Sequence, residues 1–88
     1  MNTEFSKLFN KQIDFIRDQK LKNEIADIVK LVMNAKSLQD IPNLKKLKGY
    51  KTAYRIRKGN YRIGFVFQNN TVYFLAFANR KDIYKIFP

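Results

Sequence analysis

Apolar positions along the chain change their period near its middle. In the first part Phe5, Leu8, Phe9, Ile13 and Ile16 recur at three-to-five spacing, and Leu21, Ile25, Ile28, Val29 and Val32 do so more cleanly. This predicts two antiparallel helices with a break around Asp18-Gln19-Lys20. Thr3 or Ser6 suits the first cap, and Asn34 to Ser37 carries weak stop signals. Ser37 to Gly49 reads as a connection, because Pro42 cannot sit inside a helix and Gly49 punctuates the end. Beyond it the period falls to two. Strands are predicted at roughly 52–57, 61–68 and 71–78, joined by tight turns at Gly59-Asn60 and Asn69-Asn70. Arg80 to Phe87 reads as a terminal helical turn or a short tail. The resulting expectation is one α+β domain spanning residues 1–88. Its two N-terminal helices pack on one face of a small antiparallel β-meander.

Strand parity then assigns the faces. If both turns are tight, Tyr54, Ile56, Ile63, Phe65, Phe74 and Ala76 share the helix-covered side. Arg55, Arg57 and Arg62 fall on the other side, with Val66, Tyr73, Leu75 and Phe77, and that second face is expected to be free. In this register Lys58 faces Tyr61, Ile56 faces Ile63 and Arg57 faces Arg62. Like charges directly opposite one another destabilise a sheet by a few tenths of a kcal/mol or more. A bound anion, above all a phosphate backbone, would relieve the repulsion.

Charge enlarges this picture. The 88 residues carry 18 Lys and Arg against 7 Asp and Glu, a net charge of +11, which favours nucleic acid, an anionic membrane surface or an acidic protein partner. From Ile41 to Lys81 there is no acid at all, while Lys45, Lys46, Lys48, Lys51, Lys58, Arg80 and Lys81 join the three arginines of the hairpin. The lysine run from Lys45 to Lys51 is either a solvated linker that steers anions or a direct phosphate contact. Tyr84 follows Arg80 by four residues, so on a helical turn the two would be neighbours. That tyrosine can anchor the C-terminus by packing, stack on a base, or have its phenolate favoured by the guanidinium groups.

The absent residue types narrow the chemistry. Without cysteine there is neither disulfide nor thiol chemistry. Without histidine the commonest general base and metal ligand are missing, and the scattered acids form no ligand cluster, so no metal and no cofactor are expected. No apolar run approaches the ~18 residues of a membrane span, and Met1 to Ser6 lacks the features of a signal peptide. The expected compartment is the cytoplasm.

Leu47-Lys48-Gly49, Tyr54-Arg55-Ile56-Arg57, Gly59-Asn60-Tyr61-Arg62-Ile63 and Arg80-Lys81-Asp82-Ile83-Tyr84 together resemble the RelE/ParE toxin superfamily. Within it they are most similar to the RelE-type messenger-RNA endonucleases of type II toxin–antitoxin systems. The resemblance is close over the C-terminal half and one of pattern over the helices. It implies a RelE-like fold and RNA cleavage without a metal, by attack of a 2′-hydroxyl on the adjacent phosphate. The messenger would be cut in the ribosomal A site or free, and an acidic antitoxin would cover the basic face. It assigns Arg55 and Arg57 to the 2′-hydroxyl and the phosphate and Arg62 to a clamp on the pentacoordinate phosphate, which Arg80 and Tyr84 complete, Tyr84 by stacking on a base or assisting proton transfer. Lys45, Lys46, Lys48, Lys51, Lys58, Asn79 and Lys81 become candidate RNA contacts. Many relatives carry His where this chain has Asn79, and some carry Lys at the positions of Arg55 and Arg57. A ParE-like gyrase inhibitor, or a weakened RNA- or antitoxin-binding relative, is the alternative. Relatives often open with a longer strand, whereas Met1 to Ser6 leaves room for a weak strand or none.

Overall fold

A computed structural model of the chain describes residues 1–87. Strand β1 (Asn2–Phe5) leads into helices α1 (Lys7–Asp14) and α2 (Gln19–Asn34), followed by a 3-10 turn at Leu38–Asp40 and strand β2 (Leu44–Lys46). Then come β3 (Ala53–Lys58), β4 (Tyr61–Gln68), β5 (Thr71–Asn79) and the short helix α3 (Ile83–Ile86). The strands form one five-stranded mixed sheet in the order β1-β5-β4-β3-β2. Only β1, alongside β5, runs parallel to its neighbour.

The expected three-stranded meander is therefore short of one strand at each edge. β1, where a weak strand or none is expected, pairs Asn2 to Phe5 with Thr71 to Phe74. β2 lies in the segment read as a connection. There Asn43, with φ 61, turns the chain after Pro42, so that Leu44 to Lys46 can pair with Ile56 to Tyr54. The three residues Leu44-Lys45-Lys46 are too few, and do not alternate, to be read as a strand without the partner that pairs with them.

The helices begin where short polar side chains satisfy their free N–H groups. The Ser6 hydroxyl accepts from Phe9 N–H at 3.0 Å, and the Asp18 carboxylate accepts from Lys20 and Leu21 N–H at 2.9 and 3.3 Å. Ser6 also donates to the Leu75 carbonyl at 2.9 Å, and Gln12 accepts from Phe77 N–H at 2.6 Å. These two side chains satisfy the edge of β5 just past the end of β1. Phe9 of α1 and Ile25 and Val32 of α2 pack with Ile56, Ile63, Phe65, Val72, Phe74 and Phe77 in one buried cluster.

Both turns of the antiparallel strands are tight, but the faces do not follow simple alternation. At Gly59-Asn60 only the glycine has positive φ, as a type II′ turn requires of its first position, and Asn69 and Asn70 both have it, as type I′ requires. The β3–β4 register is the expected one, with Arg57 opposite Arg62. Between β4 and β5 the register shifts after Phe65–Phe74, so that Gly64 pairs with Ala76 and Ile63 with Phe77, leaving Leu75 as an extra residue. This β-bulge exchanges two assignments. Phe77 belongs to the helix-side core, and Ala76 to the opposite face.

That opposite face is not free. Leu47, Ala53, Ala76, Ile83 and Phe87 form a second buried cluster on it, with Val66, Leu75 and Ala78 against its margin. The C-terminal turn is thus folded back over the sheet. α3 begins only at Ile83, so Arg80 and Tyr84 do not share a helix and the four-residue spacing does not make them neighbours.

Candidate nucleic-acid interface

The second face divides into an apolar half under α3 and a cationic half towards the Gly59-Asn60 turn. Pairing alone puts Lys45, Arg55, Gly64 and Ala76 in one row across the sheet, and Arg57, Arg62 and Ala78 in the next. Arg80 enters from the end of β5. Its N–H donates to the Asn60 carbonyl at 2.7 Å, which ties the strand end to the turn. Asn60, Asn79, Arg80 and Lys81 line an open cavity of about 290 Å³ there.

Arg62 is at the centre of the cationic half. Its Nη1 donates to the carbonyls of Gly59 and Tyr61, both at 2.9 Å, so the guanidinium is held along the turn rather than left to swing. Its pKa is lowered, first by burial and then by the positive charge of Arg55; Arg57 and Arg80 lower it further, and only Tyr84 acts the other way. Arg55 is held as well, its Nη1 donating to the Asn43 carbonyl at 3.1 Å while its buried Nε has no partner among the described residues. Arg57 and Arg80 have no side-chain hydrogen bond or ion pair among the described residues. The arrangement offers fixed and free guanidinium forks to one anion, with an exposed tyrosine beside them. Sequence reading missed Asn43, although a residue that follows proline and tolerates positive φ is a turn signal.

No family model matches the chain. Over its full length it is 38% identical to toxin RelE3 of Methanocaldococcus jannaschii, and it covers all of that protein. The chain belongs to the RelE toxin family. The crystal structure of a RelB–RelE antitoxin–toxin complex from Methanococcus jannaschii superposes with a TM-score of 0.79 at 36% identity, over 97% of this chain and 99% of that one. A YoeB dimer from Staphylococcus aureus shares the fold, with a TM-score of 0.70 at 20% identity over 86% of this chain and 92% of that one.

The remaining candidates of this RelE-family chain do not all reach the arginine cluster. Lys45 pairs with Arg55 and shares its face, while Lys46 pairs with Tyr54 and points the other way. Lys58 also lies on the helix side, where its ammonium meets Glu24 of α2 at 3.2 Å. Lys48 and Lys51 sit with the exposed Tyr50 in the loop between β2 and β3, away from the Gly59-Asn60 turn. Lys81 lies beside Arg80 and is exposed. Asn79 is committed to the chain itself. Its carbonyl oxygen accepts from Lys81 and Asp82 N–H at 2.9 and 3.0 Å, and its amide donates to the Asp82 carboxylate at 3.0 Å. It builds the turn that leads β5 into α3. Tyr54 and Tyr61 stack on Phe65 and Phe77, with centroids 5.5 and 5.2 Å apart, and belong to the core margin. Among the described residues no cluster of acids could hold a metal ion, and no helix is long and apolar enough to cross a membrane.

Proposed function

We propose that this RelE-family chain is the toxin of a toxin–antitoxin pair and an endoribonuclease that cuts messenger RNA. The observation that carries the reading is that strand pairing gathers Arg55, Arg57 and Arg62 on one sheet face, with Arg80 tied to the Gly59-Asn60 turn beside them. Cleavage of RNA next to a 2′-hydroxyl forms a bond from that oxygen to phosphorus and breaks the bond from phosphorus to the 5′-oxygen. The 2′-hydroxyl loses its proton and the departing oxygen gains one. Negative charge accumulates on the phosphoryl oxygens between these events, and pre-positioned cations stabilise it more than they stabilise the starting diester. Arg62 and Arg55, already held by backbone carbonyls, are suited to that stabilisation, and Arg57 and Arg80 to gripping the substrate. Guanidinium hardly deprotonates, so none of the arginines is a general base. Tyr84 is the group of the cluster that can stack on a base or move a proton.

The net charge of +11 and the basic face also suit an acidic antitoxin, which would neutralise the cations that RNA needs. A relative of 36% identity is solved as such an antitoxin–toxin complex. The test is to map RNA ends left by the purified protein on free single-stranded RNA and on messenger bound in ribosomes. New ends should be found in at least one of the two, and Arg62→Ala should slow their formation by about 10²- to 10³-fold. Absence of ends in both, with inhibition of gyrase supercoiling, would replace this reading with the ParE-like one.

A further inference from the structure

α3 has four residues, well below the ~12 that an isolated helix needs to hold together in water. It nevertheless carries Tyr84, between Ile83 and Phe87, which pack over the row of Gly64 and Ala76 next to the row of Arg62. The flanking residues hold it down. Ile83 is fully buried and Phe87 is 2% exposed, whereas Tyr84 between them is 55% exposed. Both anchors pack on a part of the sheet cleared of bulk, with Ala53 and Ala76 beneath them and Ala78 at the margin. Gly64 is in the same row as Ala76, and here the clearance is complete. A Cβ placed on Gly64 would clash with the Phe87 ring, 2.6 Å from its Cγ and 2.7 Å from its Cε2. Gly64 has no positive φ to justify it. What the position requires is space, not backbone freedom.

We propose that bare backbone at Gly64 is the seat on which Phe87 positions Tyr84 against Arg62. Gly64 is then a positioning residue for the RNA cleavage argued above, and this inference rests on that reading. The geometry transmits any displacement directly. The Phe87 N–H donates to the Ile83 carbonyl at 2.8 Å, so ring and helical turn move as one body. At the other end the paired hydrogen bonds between Asn79 and Asp82 fix the start of the turn. The helix-side core is untouched by a change here, because Ile63 and Phe65 on either side of Gly64 face the opposite way. A shift of about 1 Å in a reacting group can cost on the order of a hundredfold in rate.

The experiment compares Gly64→Ala, Phe87→Ala and each combined with Tyr84→Ala, by single-turnover cleavage of saturating RNA, by RNA affinity and by NMR of the Tyr84 ring. Gly64→Ala is expected to slow cleavage about ten- to a hundredfold with affinity within about twofold, and to move the Tyr84 ring signals while those of α1 and α2 stay in place. Phe87→Ala, which removes the ring without any clash, should do the same. In the Tyr84→Ala background neither change should slow cleavage further. A wild-type rate in Gly64→Ala with unmoved Tyr84 signals would overturn the proposal, as would losses that add to that of Tyr84→Ala. If the wild-type protein cuts no RNA, the functional reading fails, and the ring signals still decide whether Gly64 seats α3.

Discussion

Arg57 and Arg62 stand as direct partners across β3 and β4, and among the described residues no acid forms an ion pair with either. Opposed like charges on a sheet cost about 0.2–1 kcal/mol. The lowered pKa of Arg62 has the same sign. A cation whose pKa falls on folding holds its proton less tightly in the folded chain. Its charge therefore opposes folding throughout the neutral range, and the opposition fades only as pH rises through the lowered value. Such a strained cation pair is what the proposed anion site would require. Arg57→Gln should accordingly raise the melting temperature in low salt by roughly 2–4 °C, equivalent to about 0.5 kcal/mol in a chain of this size. Phosphate should stabilise the wild type more than it stabilises the variant and so narrow the gap. A melting temperature that falls in Arg57→Gln at low salt would show that the pair is not strained.

Among the elements, β5 decides how the two faces are used. Its bulge at Leu75 lets Phe74 and Phe77 both enter the helix-side core, while Leu75 and Ala76 both reach the α3 side. Deleting Leu75 would leave Phe74 opposite Phe65 and Phe77 opposite Ile63 in unbroken alternation. The core should survive, as amide exchange protection in β4 and β5 can verify, though β5 would lose its bend and carry Arg80 and α3 to new places. Cleavage should then fall by at least tenfold. Global unfolding of the deletion would mean that the bulge is needed for pairing itself. The bulge also marks the limit of what the sequence reveals. The hairpin around Gly59-Asn60 was legible to the residue, because alternation and turn chemistry agree there and fix Arg57 opposite Arg62. Past Phe74 the run Leu75-Ala76-Phe77-Ala78 is apolar on both parities, so nothing local shows that one residue is extra. β1 and β2 escaped for a related reason, being defined by the strands they pair with and not by their own period. The lane of Ala53, Gly64, Ala76 and Ala78 was hidden for the same reason, since simple alternation from Phe74 puts Ala76 and Ala78 on the helix side and only the bulge brings them to the face of Ala53 and Gly64.

For the whole molecule the excess of 18 cations over 7 anions is less informative than where the cations stand. Lys45 and Lys58 both belong to the acid-free basic stretch, and sequence alone cannot rank them. Pairing separates them. Lys45 shares the row of Arg55, whereas Lys58 lies on the helix side against Glu24. RNA held along the arginine face should release about 0.7 counterions for each phosphate contacted, and this sets the slope of log affinity against log salt. Lys45→Ala should weaken RNA binding and flatten that slope by about 0.7, the signature of one lost phosphate contact. Lys58→Ala should leave the slope unchanged, because its ammonium already neutralises Glu24 and points away from the arginines. The ion pair is partly exposed, so its loss should cost less than about 1 kcal/mol in stability. Binding titrations of a short single-stranded RNA across a salt series would separate the two. An equal loss of slope in both variants would place the RNA path around the edge of the sheet, over β2 and on to the helix side, and not along the face that Arg62 centres.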